Sequence, residues 1–306
     1  VKLQSHIEEQ GYLERKIGRT FYRRILSSSN QNSRAHGTPV FLLHGGPGST
    51  HENFFEVLKL SKDREVIVYD QIGCGRSSRI AGKHWTLKTF VEELNDLRKA
   101  LGYETIDLLG HSWGTMLAAE YYFTYPKHVR AVIFSSPCLD ARAWSADAQR
   151  LLKQMPALHQ RTVARALKTK KFEGKSFTAA NEAYYDNFVR RFVPKGKKKP
   201  YSSKLASVGF AFDGYLKMWG PVEFIATGSL KNFDRAKDLP RVKVPTLFTC
   251  GRYDEATPET VWAQAQTTPG SEFHVFERSS HQPTLEQPRE YVQTMRKFLK
   301  SVDANT

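Results

Sequence analysis

The chain is short of cysteine, of long apolar runs and of negative charge, and each shortage removes a class of protein. Of three cysteines in 306 residues, Cys138 and Cys250 end apolar strand-like runs and Cys74 sits in a Gly-rich turn, which suggests neither a disulfide framework nor a metal-ligand spacing. No run is long and apolar enough to span a bilayer, so membrane insertion is not expected. The opening Val1-Lys2-Leu3-Gln4-Ser5-His6 has neither an initiator methionine nor a hydrophobic signal core, the pattern of a processed or trimmed chain. The cytoplasm is the default location. Acids number 31 against 46 lysines and arginines, a net charge of +15. The densest basic cluster, Arg190-Arg191 followed by Lys195, Lys197, Lys198 and Lys199, has no nucleic-acid-binding motif beside it. It reads as a solvated loop, with no specific nucleic-acid partner.

What the chain has is a regular alternation of two patterns. Short apolar runs at Val40–Leu43, Glu65–Tyr69, Thr105–Leu109, Ala131–Phe134, Val244–Thr249 and Glu272–Phe276 are bounded by turn residues and separated by helical stretches. They predict a mainly parallel sheet of the α/β class. Phe21–Leu26 alternates and predicts an antiparallel edge strand. Leu87, Phe90, Val91, Leu94, Leu97 and Leu101 recur at helical spacing behind Thr86, a good N-cap residue, and Pro288 opens a similar terminal helix. Between about residues 139 and 230 the alternation stops. That block predicts a helical cap inserted after the sixth strand, leaving 1–138 and 231–306 as the core.

Gly110-His111-Ser112-Trp113-Gly114 stands between the run ending at Leu109 and the helix-like Thr115–Glu120. A G-x-S-x-G at a strand-to-helix turn is a nucleophile elbow, in which small flanking residues allow a strained backbone to present the serine. This is the pattern of an α/β hydrolase. Serine needs a base and an orienting acid, and the chain order Ser, acid, His selects Asp254 and His281, each following one of the last two strands. In this reading His281 takes the hydroxyl proton and Asp254 fixes its tautomer. His111 adjoins the serine but reads as packing beneath the turn, while His44 and His274 read as structural. For the oxyanion, Trp113 offers the backbone N–H after the nucleophile, and His44-Gly45-Gly46-Pro47-Gly48 offers the other. Gly46 is the first choice and Gly45 the second, because Pro47 has no N–H. Asp70–Ser77 lacks the Lys-Ser/Thr ending of a phosphate loop and reads as an active-site wall. No spacing calls for a metal or another cofactor.

Taken together, His44–Gly48, Asp70–Ser77, Gly110–Gly114 and Gly251–Pro258 resemble the proline iminopeptidases. Met218–Phe224 followed by Thr227–Leu230 is similar to the branch of the tricorn-interacting aminopeptidase. The resemblance implies release of an N-terminal residue, often proline, with amine-anchoring acids at Glu223 and Glu255. An exopeptidase has physical need of such acids, since the secondary ammonium of proline carries two N–H donors. Ile72 and His111 depart from the residues common in the family. Tyr184, Tyr185, Phe188 and Trp219 are candidates for a ring pocket or for cap core. The expected partner is a small peptide or an amino-acid amide. An amidase of the prolinamide type, an ester or lactone hydrolase and a non-catalytic ligand receptor remain the alternatives on this scaffold.

Overall fold

A computed structural model describes residues 6–27, 37–191 and 209–305. Eight strands form one sheet in the order β1-β2-β4-β3-β5-β6-β7-β8. They are β1 (His6–Arg15), β2 (Gly18–Ser27), β3 (Gly37–Leu43), β4 (Arg64–Tyr69), β5 (Ile106–His111), β6 (Val129–Ser135), β7 (Thr246–Gly251) and β8 (Glu272–Phe276). From β4 onward in that order every neighbour is parallel. The six apolar runs each become a strand. The segment at Phe21–Leu26 is antiparallel as expected, but it is not the edge. It pairs with β4 on one side and with β1 on the other, because the polar hairpin strand His6–Arg15, which has no apolar run to announce it, covers it.

The parallel strands β3 to β7 are buried over most of their length, which explains their unbroken apolar character, while β8 at the edge is only partly covered. Phe41, Leu43, Ile67, Tyr69 and Leu108 face one core, and Val40, Leu42, Val66, Val68 and Leu109 the other. Helices α1 (Leu87–Ala100) and α2 (Trp113–Thr124) contribute to the first, the terminal helix to the second. Thr86 caps α1 as expected, accepting the Thr89 N–H at 3.2 Å. After β6 the chain forms α3 (Ala141–Leu152), α4 (Ala157–Thr169), α5 (Lys175–Tyr184), a π-helical turn at Tyr185–Val189 and α6 (Phe212–Met218). A third apolar cluster, from Ala148 to Phe224, holds much of this layer together. The segments that enter and leave it meet at an isolated Asp140–Asp234 bridge. Helices α7 (Pro258–Thr267), α8 (Pro283–Glu286) and α9 (Pro288–Ala304) complete the chain. Among the described residues no helix is long and apolar enough to cross a membrane. Lys195–Lys199 lies outside the described residues.

Two backbone crossings fix the turn between β5 and α2. A Cβ on Gly114 would lie 2.0 Å from the Leu43 carbonyl oxygen, and one on Gly110 would lie 2.3 Å from the Gly114 carbonyl oxygen. The glycines of the elbow are therefore required by close approach. The left-handed torsion belongs to the serine itself, at φ 55° and ψ −124°. A non-glycine residue held there stores about 1–3 kcal/mol, which the surrounding packing must offset.

Gly114→Ala puts a methyl against main chain that cannot rotate away, so it should lower stability by about 1–3 kcal/mol or more. Urea unfolding would read this as a fall in midpoint at constant slope, and reaction with a serine-directed phosphonate should slow. A variant as stable and reactive as the parent would show that the crossing is not tight.

Candidate active site

Ser112, at the C-terminal end of β5, is 9% exposed and lines two adjoining cavities. Its N–H donates to the Ser135 carbonyl at 3.1 Å, and its carbonyl accepts the Thr115 N–H at 2.8 Å. The torsion is thus clamped from both sides. The larger cavity also has Gly45, Gly46, His111, Glu223 and His281 in its wall. The smaller, a narrow extension, is walled by Gly46, Trp113, Met116, Cys138, Trp144, Trp219 and Glu223.

Asp254 and His281 are brought together from the loops after β7 and β8. His281 Nδ1 lies 2.7 Å from Asp254 Oδ1, so Nδ1–H donates and Nε2 is left for a substrate-side proton. Asp254 is held in turn by two backbone donors, Ala256 N–H at 2.8 Å and Gly251 N–H at 3.1 Å. Burial works against an imidazolium at His281. The Asp254 carboxylate and its hydrogen bond outweigh that and leave the pKa above its ordinary value. The Phe188 carbonyl, from the π-helical turn, accepts the His281 N–H at 3.2 Å and the Glu255 N–H at 3.3 Å. One carbonyl therefore ties the inserted layer to both loops.

Trp113 is the first residue of α2, so its N–H has no carbonyl one turn back to bond within the helix. Gly46 takes φ 115°, and a Cβ there would sit 2.5 Å from the Gly48 nitrogen. Gly46 borders both cavities and Gly45 only the larger one. The two segments are joined by a residue that sequence reasoning passed over. Gln71 accepts from Trp113 Nε1 at 2.8 Å and donates to the His44 carbonyl at 3.1 Å. Asp70–Ser77 is thus a brace rather than a cavity wall: none of its residues lines either cavity. Glu93, fully buried, holds this brace by accepting the Ile72 N–H at 2.7 Å, and burial pushes its pKa up to about 7. Ile72 is itself core.

The three histidines set aside in the sequence differ in outcome. His44 is buried and neutral, its pKa lowered to about 4 by burial, with Nε2 accepting from the Gln71 N–H. His274 stands 3.3 Å from Glu290, away from both cavities. His111 does more than pack beneath the turn. It borders the larger cavity, and its Nε2 donates to the His281 carbonyl at 2.7 Å. Burial, with the neighbouring His281, lowers its pKa to about 3, so it is no base at neutral pH.

Glu223 reaches the junction of the two cavities. Its carboxylate accepts from Tyr215 at 2.8 Å and Tyr185 at 3.4 Å, and its main-chain carbonyl accepts from the indoles of Trp219 and Trp144 at 3.1 and 3.3 Å. Burial raises its pKa, with His281 and the two phenols pulling the other way. Glu255 lies behind it, fully buried and lining neither cavity, with Oε1 4.0 Å from His281 Nε2. Its pKa is pushed well up, first by burial and then by the charges of Glu223 and Asp254. Of the aromatic candidates, Tyr185 and Trp219 face cavities, while Tyr184 and Phe188 belong to the third apolar cluster. Whereas Arg191 is exposed, Arg190 departs from the reading of its cluster as solvated loop, since it is 5% exposed and lines the larger cavity. Its position at the end of the π-helical turn, invisible in a charge run, accounts for the difference. No group of metal-ligating side chains occurs among the described residues.

Sheet order, elbow and inserted layer define an α/β hydrolase, and the model of the alpha/beta hydrolase fold family matches residues 38–288. The chain is 43% identical to a proline iminopeptidase of Heyndrickxia coagulans, over 96% of this chain and 99% of that one. It is 36% identical to a proline iminopeptidase of Clostridium botulinum, over 96% and 99%. Among solved structures, proline iminopeptidase of Mycobacterium smegmatis superposes with a TM-score of 0.86 at 30% identity, covering 97% of this chain and 99% of that one. The chain belongs to the proline iminopeptidase family.

A raised His281 pKa keeps the imidazole protonated to higher pH, so the neutral base accumulates only above it. The acidic limb of kcat/KM should therefore lie above about 6.5. Asp254→Asn removes the charge that raises this pKa. It should move the limb to lower pH while reducing kcat by about 10⁴-fold. A limb that stays in place in this variant would contradict the assignment of the titrating group.

Proposed function

We propose that the protein is a serine aminopeptidase that releases an N-terminal residue, proline above all, from small peptides through an acyl-enzyme on Ser112. The observation that carries the reading is that Ser112, His281 and the Glu223 carboxylate share the wall of one cavity. A nucleophile beside a carboxyl group selects substrates whose scissile carbonyl is next to an ammonium.

In this mechanism Ser112 Oγ attacks the carbonyl carbon while His281 Nε2 accepts its proton. Asp254 holds the ring and stabilises the imidazolium. The N–H groups of Gly46 and Trp113 receive the oxyanion, pre-oriented by the Gln71 brace. Collapse breaks the C–N bond, His281 returns the proton to the leaving amine, and water then releases the acyl group by the same steps. The proline ring enters the smaller cavity, where Met116, Trp144 and Trp219 supply apolar walls. Glu223 takes the ammonium, and Glu255, which lines neither cavity, adds a second carboxyl group behind the wall. Residues 139–230 act as the cap that closes the site over a short chain.

At an effective dielectric near 20, a carboxylate about 4 Å from an ammonium gains about 4 kcal/mol before desolvation costs, and each 1.4 kcal/mol is about tenfold. Prolyl p-nitroanilide should therefore exceed its N-acetyl derivative by about 100-fold or more in kcat/KM, and Glu223→Gln should remove most of that preference. Comparable turnover of the acetylated compound by the parent protein would refute amine anchoring. Turnover of neutral esters in preference to both would favour the esterase alternative.

A further inference from the structure

The larger cavity has two charged poles. Glu223 is its carboxylate, and among the described lining residues Arg190 is the one guanidinium or ammonium. Arg190 stands at the end of the π-helical turn, on a segment bonded to the loop of His281. Its N–H donates to the Tyr185 carbonyl at 2.7 Å, closing the π-helical turn. Two residues earlier, the Phe188 carbonyl accepts the His281 N–H, and one residue later the Arg191 N–H donates to Ser280 Oγ at 2.9 Å. The segment carrying Arg190 is therefore stitched to the loop carrying His281. Because His281 must protonate the departing amine, the part of the substrate beyond the scissile bond lies beside that loop.

We propose that Arg190 binds the free C-terminal carboxylate of a short peptide, so that the substrate class is the zwitterionic di- or tripeptide rather than a long chain. The inference deepens the reading of Ser112 as the point of attack and rests on it. A guanidinium has five N–H donors in a planar fork. It can keep a contact to the protein and still hold a carboxylate through two parallel bonds. Its depth strengthens the interaction, since a cation 5% exposed meets its partner with little competing water. A peptide with both termini free then spans the cavity with its ammonium toward Glu223 and its carboxylate toward Arg190. The bond between them lies against Ser112.

The test compares prolylglycine and prolylglycylglycine, each as free acid and as C-terminal amide, by the ratio of kcat/KM for acid over amide. In the parent protein at least one pair should give a ratio of about ten or more. In Arg190→Ala the ratio should fall to near one, and Arg190→Lys should fall between, since an ammonium lacks the fork. A parent ratio near one in both pairs, or a ratio that survives Arg190→Ala, overturns the proposal. If Arg190→Ala does not fold, the parent ratio and Arg190→Lys decide: an unchanged ratio in the lysine variant overturns it. Amides cleaved as fast as acids defeat the role of Arg190 alone. Failure to release proline from any of the four compounds defeats the aminopeptidase reading itself.

Discussion

Everything in the site depends on how closely the turn after β5 passes the end of β3. Gly114 lies where even one methyl would collide with the Leu43 carbonyl, and this contact brings two backbone segments into register. One presents Ser112 and the Trp113 N–H, the other the N–H groups of Gly45 and Gly46. Neither segment alone makes a site. The cost of the serine's left-handed torsion is met by this packing, by the Ser135 and Thr115 hydrogen bonds and by the Gln71 brace. A nucleophile held this way has little freedom to relax from its reactive position, which is what preorganisation requires.

The electrostatics divide three nearby carboxyl groups into three tasks by environment alone. Asp254 receives two backbone N–H groups and a histidine, which fix its position behind the imidazole. Glu223 receives two phenols and borders the cavity, and these phenols oppose the burial that raises its pKa. Glu255 is buried near both other acids, and burial together with their charges raises its pKa well above the ordinary carboxyl value.

Most of this was legible in the sequence wherever local chemistry decides structure. The six parallel strands, the Thr86 cap, the elbow and the order Ser112, Asp254, His281 all follow from short patterns with one physical meaning. What was not legible depends on distant partners. β1 is polar because it covers the sheet's edge, so no apolar run marks it. Gln71 and Glu93 look like ordinary polar residues until the fold sets them against Trp113 and Ile72. His111 packs as expected but also bonds the His281 carbonyl, and Arg190 is buried rather than solvated, because their neighbours in space are His281 and a cavity. The glycines of the elbow were recognised for the wrong property, since close approach rather than torsion demands them.

The most direct test of the account is the site and rate of covalent modification by a diphenyl phosphonate analogue of proline, with its amine free or acetylated. Mass spectrometry of the digested protein should place the adduct on Ser112. The free-amine reagent should react much faster than the acetylated one, and neither should label Ser112→Ala. Labelling of a different residue, or equal rates for the two reagents, would contradict a serine nucleophile working beside an ammonium site.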